Sequence, residues 1–111
     1  MDQEMIGELG LQLYEALRRC APVAPLSERF PEMTLDDAYR VSRAMLAERE
    51  RHDDERVVGK KIGVTSKAVQ EMLGVFQPDF GFLTDAMARE DGAEIRVAEQ
   101  LIAPRAEGEI A

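Results

Sequence analysis

The hydrophobic periodicity of this chain changes once, near residue 56, and that change limits what the chain can fold into. Before it, Ile6, Leu9, Leu13, Leu17 and Cys20 recur at three- and four-residue steps, the apolar stripe of an amphipathic helix. Pro22 and Pro25 predict its end, and Ser27 to Pro31 reads as a loop. Thr34 is placed to cap a second helix, with Asp37 three residues on as the acidic partner of a capping box. That helix carries Leu35, Ala38, Ser42, Met45 and Arg49 along one side, broadened by Tyr39, Val41 and Leu46, and frays near Glu55. The two helices are expected to form an antiparallel pair.

After residue 56, Val57-Val58-Gly59-Lys60-Lys61-Ile62-Gly63-Val64 is rich in β-branched residues and runs into a turn-like Thr65-Ser66, which predicts a strand. Ser66 can cap a short helix from Lys67 to Leu73, stopped by Gly74. Gln77 to Gly81 reads as a tight turn and Phe82 to Thr84 as a short strand. Asp91-Gly92 marks another turn, and further strands are expected over Glu94 to Val97 and Ala106 to Ala111. The predicted class is α+β: a helical region over 1–55, then a β-rich region over 56–111.

Composition narrows the function. With 45% hydrophobic and 32% charged residues the chain reads as globular and soluble. No stretch is long and apolar enough to span a bilayer, and the acidic start Met1-Asp2-Gln3-Glu4 is unlike a signal peptide, so a cytoplasmic location is expected. The 22 Asp+Glu against 14 Lys+Arg weigh against a nucleic-acid partner, which needs clustered cations. Cys20 is the only cysteine, so no disulfide forms within the chain, and it reads as a small buried hydrophobe. His52 is the only histidine and sits in a charged helix end, which excludes multi-histidine zinc sites.

Three short elements could carry chemistry. In a strand, Glu107 and Glu109 would share one face and could lean onto a single divalent cation; all-oxygen donors suit a hard ion such as Mg²⁺ or Mn²⁺. Taken alone, two glutamates on a solvent-facing strand fit as well or better, and two ligands do not complete an octahedral site. Lys61 would share its strand face with Gly59 and Gly63, leaving room for a ligand to reach its ammonium, although a pair of surface lysines at 60 and 61 fits equally. Such a lysine could bind a carboxylate, or act as an acid if desolvation lowers its pKa. Asp79, between Pro78 and Phe80-Gly81, could be a general base, but an aspartate that only hydrogen-bonds its own turn is the more common case.

The runs Gly59-Lys60-Lys61-Ile62-Gly63-Val64-Thr65-Ser66-Lys67, Leu73-Gly74-Val75-Phe76-Gln77-Pro78-Asp79-Phe80-Gly81 and Leu101-Ile102-Ala103-Pro104-Arg105-Ala106-Glu107-Gly108-Glu109-Ile110-Ala111 occur in this order. Together they resemble the 2-hydroxypenta-2,4-dienoate hydratases (2-oxopent-4-enoate hydratases) of aromatic meta-cleavage pathways, in the fumarylacetoacetate hydrolase-like superfamily. The likeness is close from Gly59 onward and looser over the helices. It implies a metal-assisted hydro-lyase whose core is a mixed β roll. It also implies Glu107 and Glu109 as two of three acidic ligands of Mg²⁺ or Mn²⁺, with the third beyond residue 111. Lys61 then corresponds to the active-site lysine and Asp79 to the active-site aspartate. Lys60 stands where many relatives carry a bulky apolar residue. The implied partners are a small 2-hydroxydienoate or 2-oxo acid substrate, further copies of the chain, and 4-oxalocrotonate decarboxylase.

The strand-like 107–111 stops without a turn, which with the likeness predicts the first part of a longer protein, inactive on its own and prone to self-association. Three other readings are a 4-oxalocrotonate decarboxylase, a C–C hydrolase of the wider superfamily, and a non-catalytic chain that only associates with partner subunits. Gln77 to Gly81 favours the hydratase over the decarboxylase, no water-activating dyad supports the hydrolase, and the missing third ligand favours the non-catalytic chain.

Overall fold

The computed structural model describes residues 1–111. Helix α1 (Gln3–Arg18) starts where the Asp2 carboxylate accepts the Met5 amide at 2.8 Å. After the single-turn α2 (Leu26–Arg29) comes α3 (Leu35–Asp53), opened by the predicted capping box. There the Asp37 amide donates to Thr34 Oγ1 at 3.1 Å, and the Thr34 amide donates to Asp37 Oδ2 at 3.2 Å.

The helix pair differs from expectation in direction. Gln3 Oε1 accepts from Arg40 at 3.1 Å near the start of both helices, and Arg18 Nε donates to Asp53 Oδ2 at 2.9 Å at the end of both. The helices therefore run parallel. The connector explains this: an extended residue reaches about 3.3 Å whereas a helical one advances about 1.5 Å, so residues 19–34 can return along the length of α1. The predicted loop at Ser27 to Pro31 holds part of α2, and Leu26, Phe30 and Met33 pack on the core formed by Ile6, Leu9 and Val41. Gly10 of α1 lies against Ala44 of α3, where a Cβ on Gly10 would clash with the alanine methyl.

The buried side of α3 is also rotated from expectation. Leu35 is 54% exposed, while Asp37, Val41 and Arg49 are buried. The capping box turns Asp37 inward, where the N-terminal amine lies 3.4 Å and Arg40 3.1 Å from Oδ1.

Strand β1 (Val57–Gly63) pairs antiparallel with β2 (Asp79–Thr84) in a two-stranded sheet, with a bulge between Val57 and Gly59. Between them, α4 (Lys67–Leu73) is capped by Ser66 and stopped by Gly74 at φ 69°, as the sequence predicts. Val64, in the turn from β1 to α4, has a φ of 54°, unusual for a β-branched residue, and its carbonyl accepts from the Gln70 side-chain Nε2 at 2.9 Å. Strand β2 begins at Asp79, so Asp79 to Gly81 belong to a strand rather than to the expected turn, and the bend precedes them at Phe76 and Gln77.

The expected strands over Glu94 to Val97 and Ala106 to Ala111 do not form. Val97–Gln100 makes a single helical turn, α5, and 101–111 have no regular structure. Neither segment has a strand partner in the two-stranded sheet, and an unpaired strand satisfies none of its backbone groups.

One buried carboxylate ties the helices to the sheet. Glu55 is bound by Arg49 of α3, by Arg18 of α1 at 2.6 Å, and by the Thr84 hydroxyl at the end of β2. A further tie is the Phe80 amide, which donates to the Tyr39 hydroxyl at 3.2 Å. No helix is long and apolar enough to cross a membrane.

Candidate active site

The pleat of β1 puts Gly59, Lys61 and Gly63 on one face, more sheltered than the face of Lys60 and Ile62. The register sets Lys61 opposite Gly81 and Gly63 opposite Asp79. Opposed residues of an antiparallel pair project from the same face, so Lys61 and Asp79 share it with three glycines. A Cβ added at Gly63 would come within 2.5 Å of Asp79 Oδ1, so the aspartate carboxylate occupies the space that glycine leaves.

The end of the chain crosses to this face. Lys61 Nζ lies 2.7 Å from Glu109 Oε1 and 3.2 Å from Glu107 Oε1. The two carboxylates converge on one cation although 106–111 are not a strand; attraction to the ammonium brings them together in place of strand alternation. The side chains keep 41% (Lys61), 71% (Glu107) and 52% (Glu109) exposure, so the cluster is open to water.

The charges reinforce one another. Hydrogen bonds to Glu109 and then Glu107 raise the Lys61 ammonium above its ordinary pKa, and the hydrogen bond from Lys61 holds the Glu109 carboxyl below the usual range. The paired carboxylates thus favour the charged form of Lys61. Its ammonium is held by carboxylate oxygens alone, the donor type that hard divalent cations prefer. No three His, Cys, Asp or Glu side chains converge at one point.

Sequence reasoning missed the Glu55 cluster. Burial pushes the Glu55 carboxyl up, but hydrogen bonds from Arg49 and Thr84 and the charges of Arg49 and Arg18 outweigh it, and the group titrates below the ordinary glutamate value. The available signal was Arg49 itself, a cation on the packed side of a helix that must meet a carboxylate. A cleft of about 470 Å³ opens beside this cluster, bordered by Leu17, Met87, Ile95 and Leu101, and none of Lys61, Asp79, Glu107 and Glu109 lines it. Cys20 is half-buried, its thiol 3.2 Å from the Glu99 carbonyl, and His52 is an exposed helix-end residue stacked on Tyr14.

No family model matches the chain. A 2-hydroxyhexa-2,4-dienoate hydratase of Comamonas testosteroni is 60% identical over 111 residues, covering 99% of this chain and 42% of that protein. A 2-hydroxypent-2,4-dienoate hydratase of Pseudomonas putida is 56% identical, covering 100% and 50%. Among solved structures, a 4-oxalocrotonate decarboxylase from Pseudomonas putida G7 complexed with magnesium and adipate matches with a TM-score of 0.70 and 31% identity, over 78% of this chain and 32% of that one. The same enzyme complexed with calcium and acetate matches equally. Across its whole length, the chain belongs to the 2-hydroxypentadienoate (2-keto-4-pentenoate) hydratase family, and it spans half or less of the length of these hydratases.

Proposed function

We propose that the chain serves a hydro-lyase that adds water to 2-hydroxypenta-2,4-dienoate to give 4-hydroxy-2-oxopentanoate in aromatic meta-cleavage catabolism. The observation that carries this is one ammonium, Lys61, held between Glu107 and Glu109 on the strand face that also bears Asp79. In this reading residues 1–55 support the site and 56–111 bear it, as the opening of a mixed β roll in a cytoplasmic protein.

Glu107 and Glu109 would hold Mg²⁺ or Mn²⁺, and other acidic, substrate or water oxygens would complete its shell. The ion would supply stabilisation for the enolate-like charge that develops as the dienol ketonises. Lys61 binds the substrate carboxylate and neutralises its charge. Asp79 accepts a proton from the water that adds at C4, or orients that water. The three glycines around Lys61 leave a floor on which a flat dienoate can lie. The exposed apolar face bearing Ile62 and Phe80 supports association with further copies or with 4-oxalocrotonate decarboxylase.

A chimera tests the reading: this chain replaces the matching portion of the Comamonas testosteroni relative. A folded chimera should hydrate the dienoate in the presence of Mg²⁺ or Mn²⁺, seen as loss of dienol absorbance. A folded chimera without that activity would count against the assignment. The decarboxylase is the second reading, supported by the structural likeness. Identities of 56–60% to hydratases against 31% favour hydration, and evolution of carbon dioxide from 4-oxalocrotonate would reverse the order.

A further inference from the structure

One oxygen of each carboxylate that Glu107 and Glu109 offer to a metal, Oε1, is already engaged by a cation of the chain itself, Lys61 Nζ at 3.2 and 2.7 Å. We propose that Lys61 is a built-in counter-ion of the candidate metal seat, and that a divalent cation entering between Glu107 and Glu109 displaces its ammonium and so frees it for the substrate carboxylate. This inference rests on the reading of Glu107 and Glu109 as metal ligands.

The two cations cannot share the seat. Mg²⁺ holds its oxygens at about 2.0–2.1 Å, so an ammonium still hydrogen-bonded to the same oxygens would sit a few ångströms from a double positive charge. The ammonium is the one free to leave. It rides on a flexible four-carbon stem, its side chain is 41% exposed, and exposed ion pairs are weak enough to exchange readily. It also has somewhere to go. Gly59, Gly63 and Gly81 put no side chain in its path, and nothing lies within 4 Å of the Cβ position at Gly81. Asp79, across from Gly63 on the same face, offers a second carboxylate to steady the displaced ammonium.

Lys60, Lys61 and Lys67 are the only lysines, which makes a direct test possible. The chimera, which supplies the acidic ligand expected beyond residue 111, is acylated with an amine-reactive ester at fixed pH, with and without Mn²⁺, and each of these three lysines is followed by mass spectrometry. Bound Mn²⁺ is counted separately from the paramagnetic resonance of the free ion. Without metal, Lys61 should react more slowly than Lys60 and Lys67. With Mn²⁺ bound, its rate should rise about threefold, the size of an exposed ion pair, while the other two stay constant. Bound Mn²⁺ with an unchanged or slower Lys61 would overturn the exchange and leave the metal reading standing. Absence of Mn²⁺ uptake would overturn both. Lys61→Met supplies the second arm: it should bind Mn²⁺ about threefold more tightly, and equal or weaker binding would contradict the displacement.

Discussion

Arg49 grips Glu55 with a fork: Nε at 3.0 Å and Nη2 at 2.8 Å both reach Oε1 of the buried carboxylate. Arg18 and Thr84 bind the same group, so α1, α3 and the end of β2 meet at one charge. Glu55→Gln removes that charge and leaves the buried Arg49 guanidinium uncompensated, which should cost about 3 kcal/mol in urea unfolding. Thr84→Val removes one hydrogen bond and should cost about 1 kcal/mol. Equal stabilities of Glu55→Gln and the parent chain would show that the cluster does not tie the elements together.

The same carboxylate gives stability a pH dependence. Its folded-state pKa is depressed, against burial, by Arg49, Thr84 and Arg18, below an unfolded value of about 4.3. Asp53 behaves alike: burial raises it, but hydrogen bonds from Arg18 and Tyr14 prevail. A depressed carboxylate contributes fully above the unfolded pKa, and the contribution is lost as pH falls through the folded one. The urea midpoint should therefore hold from near-neutral pH down to about pH 5 and fall below about pH 4. In Glu55→Gln that acid fall should shrink; an identical pH profile would contradict the assignment.

Gly7 and Gly10 lie in the same helix and should respond oppositely to alanine. Nothing lies within 4 Å of a Cβ at Gly7, so Gly7→Ala should stabilise by up to about 1 kcal/mol through helix propensity. At Gly10 the new methyl would meet the Ala44 Cβ at 2.4 Å, forcing the helices apart. Overpacking costs about 1–3 kcal/mol, which at so close a contact exceeds the propensity gain, so Gly10→Ala should destabilise. Thermal unfolding of the two variants decides; stabilisation by both would mean that the helices are not in contact at Gly10.

Gly63 and Gly81 offer a comparable contrast at the candidate site. Gly63→Ala would drive a methyl into Asp79 Oδ1, whereas Gly81→Ala meets nothing within 4 Å. If the Asp79 carboxylate handles the water proton, its displacement in Gly63→Ala should lower kcat of the chimera on the order of 100-fold. Gly81→Ala should lose far less. Equal losses would remove the support for a positioned Asp79.

Local signals in the sequence were the most legible. Thr34 with Asp37, and Ser66 with Gly74, fix helix ends through contacts three or four residues apart, and both appear where expected. The direction of α3 against α1 was not legible, because residues 19–34 are long enough to allow either direction and the choice is made by packing of Leu26, Phe30 and Met33. The strand expected over Glu94 to Val97 was not legible for a related reason: whether such a segment joins a sheet is settled by the tertiary fold, and here Val97–Gln100 makes a helical turn instead. At the candidate site, Glu107 and Glu109 both reach the Lys61 ammonium, from a segment that is not the expected strand. The Glu55 cluster was hidden because its four side chains come from residues 18, 49, 55 and 84, brought together only by the tertiary fold.

The proposed hydration rests most on carboxylates 107 and 109 acting as one divalent-cation seat. The direct measurement is the metal-dependent rate of dienoate hydration by the chimera carrying Glu107→Gln and Glu109→Gln, compared with the unsubstituted chimera at equal folded concentration. Activity dependent on Mg²⁺ or Mn²⁺ should disappear while the protein stays folded; an unchanged rate with the same metal dependence would show that these carboxylates do not seat the ion.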